Sequence, residues 1–485
     1  MEDFQGELLA RLPLARAVFH LFSHVLGEPF LGGLFEAHRG RCYERGLSFP
    51  QLVYLVRDAL LVHEGSANQS FTRAAEAGEL PVAAGNAYGK LSRLPVPLSV
   101  ALLSEGASRL AGLMPPGVAS PVPASPVPAS LGGFAVVALD GKKLKNAAKR
   151  LKVLRGLPGK LLGAKLLVAL DLHTGLAVAM GVSEDGESNE VPLVPSLLPQ
   201  VRDRAGGRPV LWVADRQFCD LNLPALFTAR DGDHFLLRHT RKLSFHADPG
   251  RPALGGSDAR GRRFVQEWGW VGSEADRRRR YVRRVTLHRP GEHPGEQPGE
   301  GEQGEQDVSL ITDLLDEAAY PAEDLLEAYL MRWGIENVFQ QVTEVFELRR
   351  LIGSTPQAGV FQAAFCLLLY DMIQVCRAYA ARAAGRPVEE VSAEQLFYDT
   401  RQQLVAWAAA GDPAHAAAHL ADPLPAGRLR AELARWVGGS WTERWVKKRN
   451  KRPRKPQAKA RKSGAHTSVW RVLQAHAAKQ QRVRS

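Results

Sequence analysis

The chain has 485 residues, 45% of them hydrophobic, and carries 63 Lys and Arg against 51 Asp and Glu, for a net charge of +12 and a pI near 9.6. This length exceeds one ordinary core and implies several structural units, and the charge favours an anionic partner, either nucleic acid or an acidic membrane surface. No run of about 18 consecutive apolar residues predicts a membrane span, Met1-Glu2-Asp3-Phe4 lacks the basic opening of a secretory signal, and the scattered Cys42, Cys219, Cys366 and Cys376 have no metal or framework spacing and suit a reducing cytoplasm.

Residues 1–114 carry helical signals, the clearest being the amphipathic stretch 49–61 and a second around 86–91, closed by Pro95 and Pro97. Residues 115–133 contain Pro-Val-Pro-Ala-Ser twice in succession and read as a stiff linker. The pattern then changes. An apolar run, 134–139, ends at Asp140. Two runs, 166–172 and 176–182, flank the turn His173-Thr174-Gly175 and predict a β-hairpin, with Asp171 only shaping its turn. A short helix over 191–201, a buried strand over 209–214 ending at Asp215, a helix near 221–229 and a strand at 234–238 follow. This order predicts an α/β fold, a mixed sheet flanked by helices.

Residues 239–307 interrupt the order as a β-rich insertion, with strand-like pieces at 264–270 and 281–287 and an Arg277–Arg280 run. Beside Trp268, Trp270 and Tyr281 that run is either a DNA contact or a solvated loop. The Gly/Glu/Gln/Pro tract from Pro290 to Gln306 cannot bury enough apolar surface to fold. The catalytic region, 134–385, resumes with a strand at 308–311, one long helix from about 321 to 346, and an apolar helical stretch over 356–384. A helical region, 386–443, precedes a basic tail, 444–485, with 15 Lys and Arg and no Asp or Glu, so the rest of the chain is close to neutral. The tail's centre, 447–462, is expected to stay disordered until it meets phosphates, and Lys447, Lys448 and Arg449 begin it.

Asp140, Asp215 and Glu336 are the candidate catalytic and metal-binding residues. Strands deliver side chains rigidly to one edge of a sheet, where ligands of open α/β sheets sit. Neighbouring carboxylates repel, and hard cations such as Mg²⁺ or Mn²⁺ relieve that repulsion through oxygen ligands. Two such ions, about 3.5–4 Å apart, activate the attacking oxygen and stabilise the leaving one. On a helical wheel Tyr329, Arg332, Glu336, Gln340 and Thr343 share one sector, opposite an apolar sector of Val338, Phe339, Val342, Val345 and Phe346. Arg332 there suits bidentate phosphate binding, and Tyr329 suits a hydrogen bond to phosphate or stacking on a base. Singly, a strand-end Asp is usually a cap and an Arg–Glu pair four apart is usually a surface pair. Together, with the basic tail, they point to a phosphodiester. His173, His234 and His239 show no metal spacing.

Tyr329 to Glu336 resembles the Tyr-x2-Arg-x3-Glu-x6-Lys signature of bacterial DDE transposases of the insertion-sequence-four group. Leu139-Asp140-Gly141 and Ala214-Asp215-Arg216-Gln217-Phe218 are similar to that family's two aspartate blocks, and the resemblance covers roughly residues 130–380. It implies an RNase H-like catalytic domain with an insertion before the glutamate, across the 121 residues from Asp215 to Glu336. It also implies metal-dependent cleavage at transposon ends and strand transfer into target DNA, often through a hairpin intermediate. End binding by the N-terminal helical region, a homodimer on DNA and a place at the bacterial nucleoid follow from the same resemblance. The signature's lysine falls at Thr343, followed by Glu344. Arg349 and Arg350, one to two turns on, are the candidates to compensate. Two rivals stay open: an inactive or domesticated DNA-binding descendant, and an RNase H-like nuclease that cuts without joining.

Overall fold

The computed structural model describes residues 2–116, 126–288, 307–411, 423–448 and 466–484. Residues 117–125 of the linker, the Gly/Glu/Gln/Pro tract and residues 449–465 of the basic tail, Arg449 included, lie outside the described residues.

The N-terminal part is helical from α1 (Glu2–Ala10) to α7 (Val96–Ala111). Local chemistry starts the amphipathic helix Phe49–Leu61. Ser48 accepts from Gln51 N while Gln51 returns a bond to Ser48 N, and Pro50 occupies a first-turn position that needs no N–H.

The next segment builds the sheet from β1 (Ala135–Lys145), β2 (Leu161–Asp171), β3 (Ala177–Ser183), α8 (Val194–Arg204), β4 (Val210–Ala214), α9 (Leu223–Phe227) and β5 (His234–Arg238). β2 is antiparallel to β1 and β3, whereas β1, β4 and β5 run parallel. The strand order 3-2-1-4-5 with this polarity is the RNase H-like arrangement that the resemblance implies. All of β2 except its last residue is buried, because helices cover both faces of its neighbourhood. Asp171 shapes the β2–β3 turn as expected, accepting from His173 N at 3.0 Å and Thr174 Oγ1 at 2.7 Å.

The insertion contributes β6 (Phe245–Ala247), β7 (Leu254–Ser257), β8 (Arg263–Val271) and β9 (Arg280–Leu287), and β10 (Val308–Thr312) follows it. β10 pairs with both β5 and β9, so the insertion extends the central sheet. Among the described residues the result is one sheet of eleven strands. Trp268 is buried here and donates from Nε1 to the Leu315 carbonyl at 3.0 Å. Trp270 is exposed, with the Arg279 guanidinium 4.1 Å from its ring.

The long helix predicted over 321–346 is two helices, α10 (Ala322–Met331) and α11 (Trp333–Glu344), meeting at Arg332. α12 (Pro356–Ala384) begins at the capping Thr355 and stops at Gly385, whose φ of 62° suits glycine. By length and composition α12 is apolar enough to cross a membrane, but its apolar window is entirely buried within this fold. It packs against α7, β2 and β3, so the N-terminal helices share a continuous core with the sheet.

α13 (Ala393–Ala410) and α14 (Ala426–Gly438) follow. The end of the chain returns to the sheet. β11 (Thr467–Ser468) pairs in parallel with β2 at Leu161–Leu162, and α15 (Val469–Arg484) is tied down by Arg471, which pairs with Asp185 at 2.8 Å and with Glu187. The described end of the basic tail is thus anchored beside the sheet at the first turn of α15.

Candidate active site

β1 does not end at Asp140, as the apolar run suggests. It continues to Lys145, paired with β2 throughout, while its parallel pairing with β4 stops at Leu139 and Ala214. Asp140 and Asp215 are the next residues on these two neighbouring strands, which lie about 5 Å apart. Alternation turns both carboxylates to the same face, the face that α11 crosses.

Asp140 Oδ1 accepts from Gly141 N at 2.8 Å, and Asp215 caps the turn after β4 by accepting from Arg216 N at 2.7 Å. Glu336 lies in the first turn of α11. Arg332, at the junction of α10 and α11, joins these elements. Its Nη1 is 3.7 Å from Asp140 Oδ2 and its Nη2 is 3.5 Å from Glu336 Oε1. Tyr329 Oη donates to Asp215 Oδ1 at 3.4 Å, with the Arg332 guanidinium 5.4 Å from its ring. Arg238 Nη1 is 3.8 Å from the same Asp215 oxygen.

Tyr329 and Arg332, which the sequence offers for contacts to phosphate or a base, are both buried and turn their polar ends to the acids. The Arg332 side chain is only 3% exposed, whereas that of Glu336 is 51% exposed. Arg349 and Arg350 are the residues offered to compensate at Thr343. α11 ends at Glu344, Glu347 takes a φ of 60°, and the two arginines lie beyond the helix with Arg349 Nε 3.0 Å from Glu347. Thr343 spends its hydroxyl on the Phe339 carbonyl at 2.6 Å. Lys447 and Lys448 are exposed, and Lys447 N anchors to the Glu390 carbonyl.

Burial pushes the Asp140 carboxyl up to about 6, with nearby Glu190 and Glu336 adding to the rise and Arg332 opposing it. Burial also raises the Tyr329 hydroxyl to about 12, so it remains a donor toward Asp215. The ionised acids need a cation, which Arg332 supplies. Its Nε is buried without a hydrogen-bond partner.

One acid escaped sequence reasoning. Glu190 is buried, paired with Lys165 of β2 and bonded by Gln217 Nε2, two residues after Asp215. Gly141 makes room for it, since a Cβ there would overlap the Glu190 carboxyl. Alternation puts Gly141 and Glu190 behind the strand from the Asp140 side chain. The network ties β2 to the turn that carries Asp215. Lys165 was the available signal, because a lysine inside an otherwise apolar buried strand needs an acidic partner.

The donor set of three carboxylates fits a hard divalent cation by its chemistry. As these side chains are placed, no group of three His, Cys, Asp or Glu among the described residues converges closely enough to hold a metal ion. His234 and His239, set aside as ligands, bond Asp313 and the Leu243 carbonyl.

The site thus sits on an RNase H-like sheet, with two aspartates on adjacent strands and a glutamate on a crossing helix. Residues 135–372, nearly half of the chain, match the model of the family described as the transposase DDE domain. No curated protein matches the sequence. Among solved structures, the chain is similar to the piggyBac transposase in a synaptic complex with hairpin DNA, at 12% identity and a TM-score of 0.41, over 87% of this chain and 85% of that one.

Proposed function

We propose that the protein is a cut-and-paste DNA transposase of the insertion-sequence-four type. It cleaves at the terminal inverted repeats of its element and joins the freed ends to target DNA. The observation that carries this reading is that Arg332 pairs with both Asp140 and Glu336 while Tyr329 bonds Asp215, within the residues that match the transposase DDE domain.

In this reading Asp140, Asp215 and Glu336 hold two Mg²⁺ or Mn²⁺ ions. Bound there, such ions supply Lewis-acid activation of the attacking and leaving oxygens. The chain's own residues prepare the acids. Gly141 N and Arg216 N fix one oxygen each of the two aspartates, Tyr329 steadies Asp215, and Arg332 neutralises Asp140 and Glu336. Glu336, half exposed on the first turn of α11, is the ligand with freedom to move. Residues 1–114 and parts of the insertion grip the element's ends. The 15 positive charges of the tail, with Lys447, Lys448 and Arg449 at its start, add salt-sensitive contacts to phosphates. Bringing two ends together calls for a homodimer on DNA.

Thr343 favours a second reading, an inactive DNA-binding descendant, because no lysine stands at that point of α11. One assay separates the two. Duplex DNA carrying the inverted repeats that flank the gene is incubated with the full chain, with and without Mg²⁺. Nicking and strand-transfer product are expected only with the metal and are expected to vanish with Asp140→Ala. Binding without metal-dependent cleavage supports the inactive descendant, and cleavage without joined product supports a plain nuclease. Nicking that survives Asp140→Ala removes the assigned site.

A further inference from the structure

With Arg332 buried among the acids, the proposed reaction leaves open which side chain receives the charge of the phosphodiester. Lys165 is spent on Glu190, and Arg349 leans on Glu347 beyond the end of α11. Lys142 differs from both. It lies two residues after Asp140 on β1, so alternation gives it the face that Asp140 uses. Its Nζ donates to the Phe339 carbonyl at 3.1 Å and lies 5.3 Å from the Phe339 ring. Phe339 is three residues after Glu336 on α11. The ammonium is thus held between the strand that carries Asp140 and the helix that carries Glu336.

Among the described residues, no carboxylate lies within ion-pair distance of Lys142, and the Phe339 carbonyl is its one hydrogen-bond acceptor. An ammonium has three donors, so two remain to be met by whatever enters the site. The carboxylates of Glu344 and Asp140 act on this half-buried cation only from beyond ion-pair distance, which leaves it suited to an anionic oxygen. We infer that Lys142 binds a nonbridging oxygen of the phosphodiester held at the carboxylate site. The inference rests on the transposase reading for its substrate and on the β1–α11 geometry for its residue.

The test uses the full chain with Lys142→Met, which keeps the apolar stem on Phe339, and Lys142→Arg, which keeps the charge. Thermal melting first establishes that each variant folds. On the inverted-repeat duplex with Mg²⁺, Lys142→Met is expected to slow cleavage about 100-fold, with end affinity little changed, and Lys142→Arg to recover most of that loss. Cleavage by Lys142→Met within about threefold of the parent overturns the inference and leaves the transposase reading intact.

A second measurement does not need turnover. In the Asp140→Asn chain, an amine-acylating reagent is applied with and without the same duplex. Lys142 is expected to be protected by DNA, while the exposed Lys143 on the opposite face serves as the reference. If the parent shows no metal-dependent cleavage, the transposase reading fails, and the labelling still decides the residue. Protection of Lys142 supports a phosphate contact, and equal labelling of Lys142 with and without bound duplex overturns it.

Discussion

Asp140→Asn is expected to abolish DNA cleavage, by about a thousandfold or more, and at the same time to raise the thermal stability of the metal-free protein at pH 8. The two effects have one cause. Burial holds the Asp140 carboxyl at about 6, above its ordinary 3.8. Between these values the folded protein binds more protons at this site than the unfolded chain does. The associated stability is therefore fully present below pH 3.8 and is lost as pH rises through about 6. The shift corresponds to about 3 kcal/mol. An asparagine removes that cost, so the melting temperature in EDTA is expected to exceed the parent's at pH 8 and to converge with it near pH 4. Equal melting temperatures at pH 8 would contradict the burial of an ionised carboxylate at this position.

Arg332→Met is expected to have the opposite effect on stability. Its guanidinium lies between Asp140 and Glu336 and is nearly inaccessible. Removing one partner of a buried charge cluster costs about 3–5 kcal/mol, and among the described residues Arg332 is the cation within ion-pair distance of both Asp140 and Glu336. The melting temperature in EDTA is expected to fall at pH 8 and to fall less at pH 5, where Asp140 is largely protonated. Added Mg²⁺ is expected to restore part of the loss, since it supplies the missing positive charge. Arg332→Lys is expected to rescue poorly, because a point charge does not span two carboxylates as a planar fork does. If the Arg332→Met chain melts like the parent at both pH values, the guanidinium does not organise these acids.

Much of this arrangement was legible in the amino-acid order. Apolar runs ending at Asp140 and Asp215 marked two strands, which the fold sets side by side and parallel, and the Gly175 turn marked the β2–β3 hairpin. In the insertion β8 and β9 fell at the predicted strand-like pieces, whereas the short β6 and β7 carried no such signal. Tertiary contacts decided the rest. A wheel groups Tyr329, Arg332 and Glu336 on one sector, but it does not say whether that sector meets solvent or a sheet edge. Here it meets the sheet edge, with Arg332 paired to Asp140 and Tyr329 bonded to Asp215, and the helix is interrupted at Arg332. The extension of β1 to Lys145 was hidden because Gly141, Lys142 and Lys143 look like a turn. Pairing with β2 keeps them extended. Glu190 lies in a polar loop with no periodic signal, and only its partner Lys165 marks it. β11 is two residues long, too short for any pattern, and is held by the Ser468 and Arg471 contacts to residues 185–187.

The most direct test of the shared metal site is Mn²⁺ binding to the full chain, measured by titration calorimetry without DNA. The parent is expected to bind, and Asp140→Ala, Asp215→Ala and Glu336→Ala are each expected to weaken that binding about tenfold or more. Unchanged Mn²⁺ affinity in all three variants would contradict a site built from these three carboxylates.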